Sequence, residues 1–382
     1  MFVPNPRGPI STQVSELIKG SVLSESPIAP GPDRDVVEDE DVQIALFMIY
    51  ELHYHGFDDA MPEAEWDPAI FSIRTRLERV FLLNVKDRVP TSALPSPAGL
   101  AEHLFAMVDE DGPSLSRYLA RNATRRQFQE FAVHRSAYQS KEADPYTWAI
   151  PRLSPAAKSA LVEIQIDEYG GGRVEMMHQE LFRKTLRGLG LSDSYGYYVD
   201  HLPAVTLAAT NVITLLGMRR SERATVCGHF AALEMTSSIP NRRYARGLRR
   251  LGFGGDVTHF FDEHVEADAV HEQLAVGGMC AAIVDDDPGE LSNIVFGVSV
   301  YLWFERALSE RMLNSWRIEK TSLRQPIEGS QRERTDDRSA RQGRQGVAAI
   351  AQEQGRPVDL RIGRTAESEA LGQSRGGARI TR

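Results

Sequence analysis

The stretch His264-Val-Glu-Ala-Asp268-Ala-Val-His271 places histidine, aspartate and histidine at i, i+4 and i+7. On a helix of about 3.6 residues per turn these positions share one face. Two imidazoles and a carboxylate on one stripe make a poor hydrophobic face and a good set of metal ligands. Taken alone, the triplet also fits a solvated polar face, because Glu263, Glu266 and Glu272 stand close by. Its flanks decide the fold. The helical pattern runs on both sides of it, from about Asp256 to Val276, and a long amphipathic segment follows from Leu291 to Trp316.

Upstream the pattern is the same. Val42 to Tyr50 and Ala69 to Phe81 repeat apolar residues at helical spacing. Asp67-Pro68, Ser96-Pro97 and Ser154-Pro155 are helix starts, a capping side chain followed by proline at the first helical position. A long helix is expected from Ser114 to about Lys141, and an apolar one from Pro203 to Leu216. Ala224 to Ser238 forms another, closed by Pro240, before a separate basic helix from Arg242 to Leu251. Sustained period-2 alternation with turn pairs is missing, as is any repeat of a few tens of residues. The fold class is all-α, a bundle of roughly seven to ten core helices.

The chain has 382 residues, 42% hydrophobic, enough for one large core with appendages. Residues 1–38, rich in Pro, Gly and Ser, read as a flexible leader without the apolar run of a signal peptide. Residues 39–318 are the helical domain. Residues 319–382 read as a disordered Arg-rich tail, since from Thr321 onward it has no Phe, Tyr, Trp or Cys. From Arg317 to Arg382 there are 14 basic and 9 acidic residues, a net +5 that leaves −14 on the rest of a chain whose total is −9. An acidic body argues against nucleic acid as the partner. Cys227 and Cys280 are too few for a disulfide framework and read as buried thiols, which suits a cytoplasmic protein. With no apolar run of membrane length, no membrane span is expected.

A helical bundle can hold metal in its interior on Glu and His from facing helices. Carboxylates and histidines inside apolar helical stretches give Glu142, Glu168, His178, Glu234, His264, Asp268 and His271. Each has a plainer reading: Glu142 as a solvated helix end, Glu234 as a helix-end carboxylate facing water. Glu168, Glu175 and His178 would share a face on a continuous helix, while Gly170-Gly171-Gly172 allows a bulge that re-aims Glu168. His229 reads as packed or capping. Oxygen and imidazole donors without a Cys pair suit iron or manganese in a paired site, while a single-metal site would need only three or four of the set.

These residues carry a resemblance. Glu142-Ala-Asp-Pro145, Trp148-Ala-Ile-Pro-Arg-Leu153, Glu163 to Arg173 with His178, Glu234-Met-Thr-Ser-Ser with Asn241-Arg-Arg-Tyr244, and His264-x3-Asp268-x2-His271 resemble the haem-oxygenase-like diiron oxidases and oxygenases, also called iron-containing redox enzymes. The resemblance spans about residues 40–316 and is strongest between 130 and 275. It implies a haem-oxygenase-like bundle that binds no haem and holds two iron ions on the seven named residues. Glu175 competes with Glu168, and Glu168 is favoured. It also implies O2 activation and oxidation of a small organic substrate by hydroxylation, N-oxygenation, desaturation or C–C cleavage. An external electron donor fits that chemistry, and a homodimer is left open. Thr236, Ser237, Asn241 and Tyr244 are candidates to support the ligands or line a pocket, with capping or packing as the plainer role. Some relatives append an iron–sulfur or cupin domain, and no such centre is expected here. The alternatives are a non-catalytic helical scaffold, or a cofactorless enzyme of the same fold, of the thiaminase or quinone-cofactor-synthase sort. The His/Asp/His set argues against the second.

Overall fold

The structure, a computed structural model, describes residues 1–21, 31, 34–90, 92–109 and 114–327, without the side chains of residues 268 and 269. Its regular elements are helices, and no strand occurs among the described residues. In chain order they are α1 (Pro9–Ile18), α2 (Glu40–Glu51), α3 (Pro68–Arg88), α4 (Leu100–Val108), α5 (Leu115–Arg121), α6 (Arg125–Gln139) and the single turn α7 (Asp144–Thr147). There follow α8 (Pro155–Glu168), α9 (His178–Gly188), α10 (Ala204–Met218), α11 (Arg223–Arg250), α12 (Gly255–Gln273), α13 (Ala281–Asp286) and α14 (Leu291–Arg317). A π-helical stretch, Leu274–Cys280, joins α12 to α13.

Burial follows the patterning. α2 is buried from Asp41 to Glu51, and α10 is buried along nearly its whole length. A helix apolar on all sides belongs in the interior, and these two pack on each other. Their few polar groups are paired: Asn211 donates its amide to the Gln43 carbonyl and side-chain oxygens at 2.8 and 2.9 Å. α11 is the central rod, with α14 and α12 against it. Asp67 caps α3 by accepting from Ala69 and Ile70, with Pro68 at its first position.

Several expectations are corrected. The leader is structured at its start: α1 buries Ile10, Val14, Leu17 and Ile18, and the chain-end amine pairs with Asp58 at 3.2 Å. The apolar residues at i, i+4, i+7 and i+8 of that segment outweigh its Pro content. The helix expected from Ser114 to Lys141 is two, because Thr124 and Gln127 form a capping box that starts α6 afresh. Conversely, Pro240 does not end a helix. α11 runs through it, since packing against its neighbours outweighs one lost backbone hydrogen bond. Finally, Ser322 and Leu323 are buried in the body, so the ordered chain passes residue 318. Residues 328–382, the bulk of the expected tail, lie outside the described residues. Among the described residues no helix is long and apolar enough to cross a membrane.

Candidate metal centre

Four segments deliver the candidate ligands. Glu142 lies between α6 and α7, where Ala143 takes a left-handed φ of 73°. A side chain with a Cβ resists that conformation, so the turn is held from outside, by Gln165 donating to the Ala143 carbonyl at 3.2 Å. Its neighbour Lys141 is buried and engaged elsewhere, 2.8 Å from Glu51 on α2 and over the Tyr54 ring. Glu168 is the last residue of α8. Gly170, Gly171 and Gly172 then take φ of 67°, 58° and 81°, three left-handed residues in a row that only glycine adopts readily. A Cβ on Gly170 would meet the Met177 nitrogen at 2.6 Å. The turn therefore closes tightly and returns the chain so that His178 opens α9, its Nδ1 2.8 Å from Glu168 Oε2. Glu175 is left exposed on the connecting turn. The continuous helix that would have aligned Glu175 with His178 does not form.

α11 brings Glu234 and α12 brings His264 and His271. His264 Nε2 lies 3.5 Å from Glu142 Oε1, and the His178 and His264 rings sit 4.3 Å apart. His271 Nδ1 lies 3.3 Å from Glu234 Oε2 and 3.8 Å from Glu168 Oε1. All six side chains are buried. Asp268 is on α12 between the two histidines, and its side chain lies outside the described residues.

The donors fall into two groups. Glu142, Glu168, His178 and His264 can each offer an atom within 4.8 Å of the others, and so can Glu168, Glu234 and His271. Glu168 belongs to both. Hydrogen bonding does not account for this convergence. Glu142 Oε2, Glu168 Oε2, His178 Nδ1 and both Glu234 oxygens are buried without an aligned hydrogen-bond partner among the described residues. His178 and Glu168 approach to 2.8 Å inside this group. Orphaned buried carboxylate oxygens are expensive, and a cation between them removes the cost. The donor chemistry fits iron: oxygen and imidazole, with Cys227 and Cys280 away from the cluster as buried free thiols.

Electrostatics without metal point the same way. Burial pushes the Glu168 carboxyl up, but the imidazoles of His178, then His264 and His271, outweigh it and hold it at about 2. Glu234 is pushed up by burial and by the like charge of Glu168, against the pull of His271. Burial would lower His271, yet Glu234, Glu168 and Asp167 carry it up to about 9. An imidazolium here supplies the positive charge that three crowded carboxylates demand.

Residues 129–306, which contain every candidate ligand, match the family model described as iron-containing redox enzyme. Over that segment the chain is similar to the iron-containing redox enzymes. The chain is also similar to a nitrosourea synthase of Streptomyces achromogenes subsp. streptozoticus, 28% identical over 236 residues, which cover 60% of this chain and 50% of that protein. The chain thus spans about half the length of that relative. The all-α architecture is that of the haem-oxygenase-like fold named by the family.

The histidine tautomers are set from outside the cluster. His264 donates Nδ1–H to the Phe260 carbonyl at 2.7 Å, which turns Nε2 inward. His271 does the opposite: Nε2–H donates to Asp167 at 3.2 Å and Nδ1 faces Glu234 and Glu168. A partner on the far nitrogen fixes ring orientation and raises ligand basicity. Asp167 escaped the sequence reading because it sits 104 residues from His271, and neither spacing nor composition links them. The expected supporters divide. Thr236 and Ser237 donate to the Ala232 and Leu233 carbonyls one turn back, and Thr236 also touches Tyr301. Asn241 and Tyr244 are buried, with Tyr244 packed on Phe131 and Phe261. These are packing and helix roles. His229 is packed, as read, but its Nδ1 also meets the Tyr146 hydroxyl at 2.9 Å.

Proposed function

We propose that this chain is a non-haem diiron oxygenase that uses O2 to oxidise a small organic substrate. The observation that carries this reading is the division of the buried donors into two groups with Glu168 common to both. A shared carboxylate is what a pair of adjacent ions needs. One ion would take Glu142, Glu168, His178 and His264; the other would take Glu168, Glu234 and His271, with Asp268 as a further candidate on the same helix. The paired irons would supply the redox chemistry that O2 requires.

The chain's own residues do the rest. Phe260 and Asp167 hold the two α12 imidazoles in the tautomers that point a lone pair inward. The glycine turn after α8 fixes Glu168 against His178. The apolar packing of Phe182 and Phe260 beside His178 and His264 keeps water from that side. Among the outcomes open to such a centre, N-oxygenation ranks first, because the similar Streptomyces protein is named for making a nitrosourea. O2 and the organic substrate are the partners this reading needs, together with an electron source if the reaction turns over repeatedly.

The test is metal content. Protein produced with iron and handled without oxygen should carry one ion per donor group, and should consume O2 on exposure. His264→Ala and His271→Ala each remove a ligand from a different group, so each should lose at least one ion by elemental analysis. A His271→Ala protein that still held the wild-type iron content would overturn the assignment.

A further inference from the structure

Three aromatic side chains and one imidazole lie in a row beside the carboxylate cluster and have no part in holding metal. Tyr138, on the last turn of α6, feels the cluster directly: burial, Tyr146, and then Glu142, Glu168 and Glu234 push its phenol well up. Tyr146, on α7, is fully buried, and Tyr301 and Glu234 add to the burial that raises it. The Tyr146 hydroxyl lies 2.9 Å from His229 Nδ1. His229, on α11, is buried and held neutral, its imidazole lowered to about 3 by desolvation, so Nδ1 is a free acceptor when the ring proton sits on Nε2. The next ring is Tyr301 on α14, half-buried, its hydroxyl 3.0 Å from Thr236. Ring centroids are separated by 6.3 Å from Tyr138 to Tyr146, 6.0 Å to His229 and 5.2 Å to Tyr301.

A buried phenol is hard to oxidise because its proton must leave at the same time and cannot reach water. A neutral imidazole within hydrogen-bond reach removes that obstacle. Packing alone does not call for it: phenylalanine would fill the space at position 146 without burying a hydroxyl that needs a partner.

We propose that Tyr146 and His229 form a redox pair that passes single electrons between the metal centre and the α14 face of the bundle. The inference rests on the iron reading above. In the forward step Tyr146 would give up one electron, the acceptor being the oxidising equivalent that iron held by the cluster would supply from O2. The phenolic O–H bond breaks, an N–H bond forms at His229 Nδ1, and a neutral phenoxyl radical is left beside an imidazolium. In the return step one electron from an external one-electron donor enters by way of Tyr301, and the proton goes back to the Tyr146 oxygen. Nothing else is consumed.

The experiment uses the iron-loaded full chain, mixed with O2, frozen at increasing times and read by electron paramagnetic resonance. An organic radical should form, and its hyperfine pattern should collapse when the chain is made with ring-deuterated tyrosine. Tyr146→Phe, at unchanged iron content, should lose it. His229→Gln, which keeps a polar group but no basic nitrogen, should form it more slowly. A wild-type chain that holds its iron and consumes O2 without a tyrosine radical sinks the pair and leaves the iron reading standing, as does an undiminished radical in Tyr146→Phe. A chain that takes up no iron sinks the iron reading instead. The pair is then read in the metal-free chain with a flash-generated external oxidant, where Tyr146→Phe and His229→Gln must each diminish the radical or the pair fails too.

Discussion

His271 shows how much chemistry one side chain can carry. Without metal its imidazole is held up at about 9, burial being outweighed by Glu234, Glu168 and Asp167. A metal ion needs the neutral ring, so below about pH 9 binding must displace a proton. The sign follows: lowering the proton concentration removes the competitor, so apparent affinity rises with pH and levels off above about 9. Glu168, held at about 2, is already ionised and adds no slope in this range. Competition with a chelator of known pH behaviour should therefore show ferrous affinity rising about tenfold per unit between about pH 6.5 and 8.5. A flat profile would show that the metal displaces no proton from His271. At this scale the sequence was informative where ligands share a helix. Helical spacing placed His264 and His271 on one face, but that face read equally as a solvated one until Glu142, Glu168 and Glu234 were brought to it. The glycine triplet flagged the region of Glu168, but not that the turn discards Glu175 and returns His178. Asp167, Tyr146 and His229 could not be read, because their partners come from other helices.

At the scale of the element, α11 sets the geometry of the centre because it carries Glu234 and packs between α12 and α14. Its approach to α14 is made by a reciprocal pair of glycines. A Cβ on Gly228 would collide with the Ile294 carbonyl, and one on Gly297 would collide with the Thr225 carbonyl. These are backbone atoms that cannot swing aside. Gly297→Ala should therefore force the two helices apart, costing about 1–3 kcal/mol by the usual toll of overpacking. Gly277→Ala is the control, since its Cβ would meet nothing within 4 Å. Denaturant midpoints compare the two; equal midpoints would mean that the crossing is not tight. The helical class was legible because apolar periodicity survives any tertiary arrangement. The breaks were less so. Pro240 carries a strong stop signal, yet α11 continues because burial on both sides outweighs a local preference. The gap between α5 and α6 is the reverse case: a short capping box, Thr124 with Gln127, starts a new helix inside a periodic pattern.

For the whole molecule the question is whether the described body passes the boundary that composition suggests. Composition changes near residue 318, and a boundary drawn there looks natural. The structure puts it later for a specific reason. Glu130 is buried on α6 and accepts hydrogen bonds from the Ser322 amide at 2.9 Å, the Ser322 hydroxyl at 2.8 Å and the Trp316 indole at 2.9 Å. Ser322 also meets His134 at 3.0 Å, and Leu323 packs into the core. A tail residue thus supplies two of the bonds that let a carboxylate lie inside the bundle. Periodicity cannot show this, because the segment is too short to have any. The described body closes at Ile327. A chain ending at Ile327 keeps the whole described body and is the reference. One ending at Ile318 strips Glu130 of Ser322 and should lose roughly 1–3 kcal/mol, the cost of a buried acceptor left short of partners. Both truncations keep every candidate metal ligand, so the comparison isolates the closure of the bundle from the chemistry of the centre. Identical midpoints for the two would mean that Glu130 finds water once Ser322 is gone, and that the boundary read from composition was the right one.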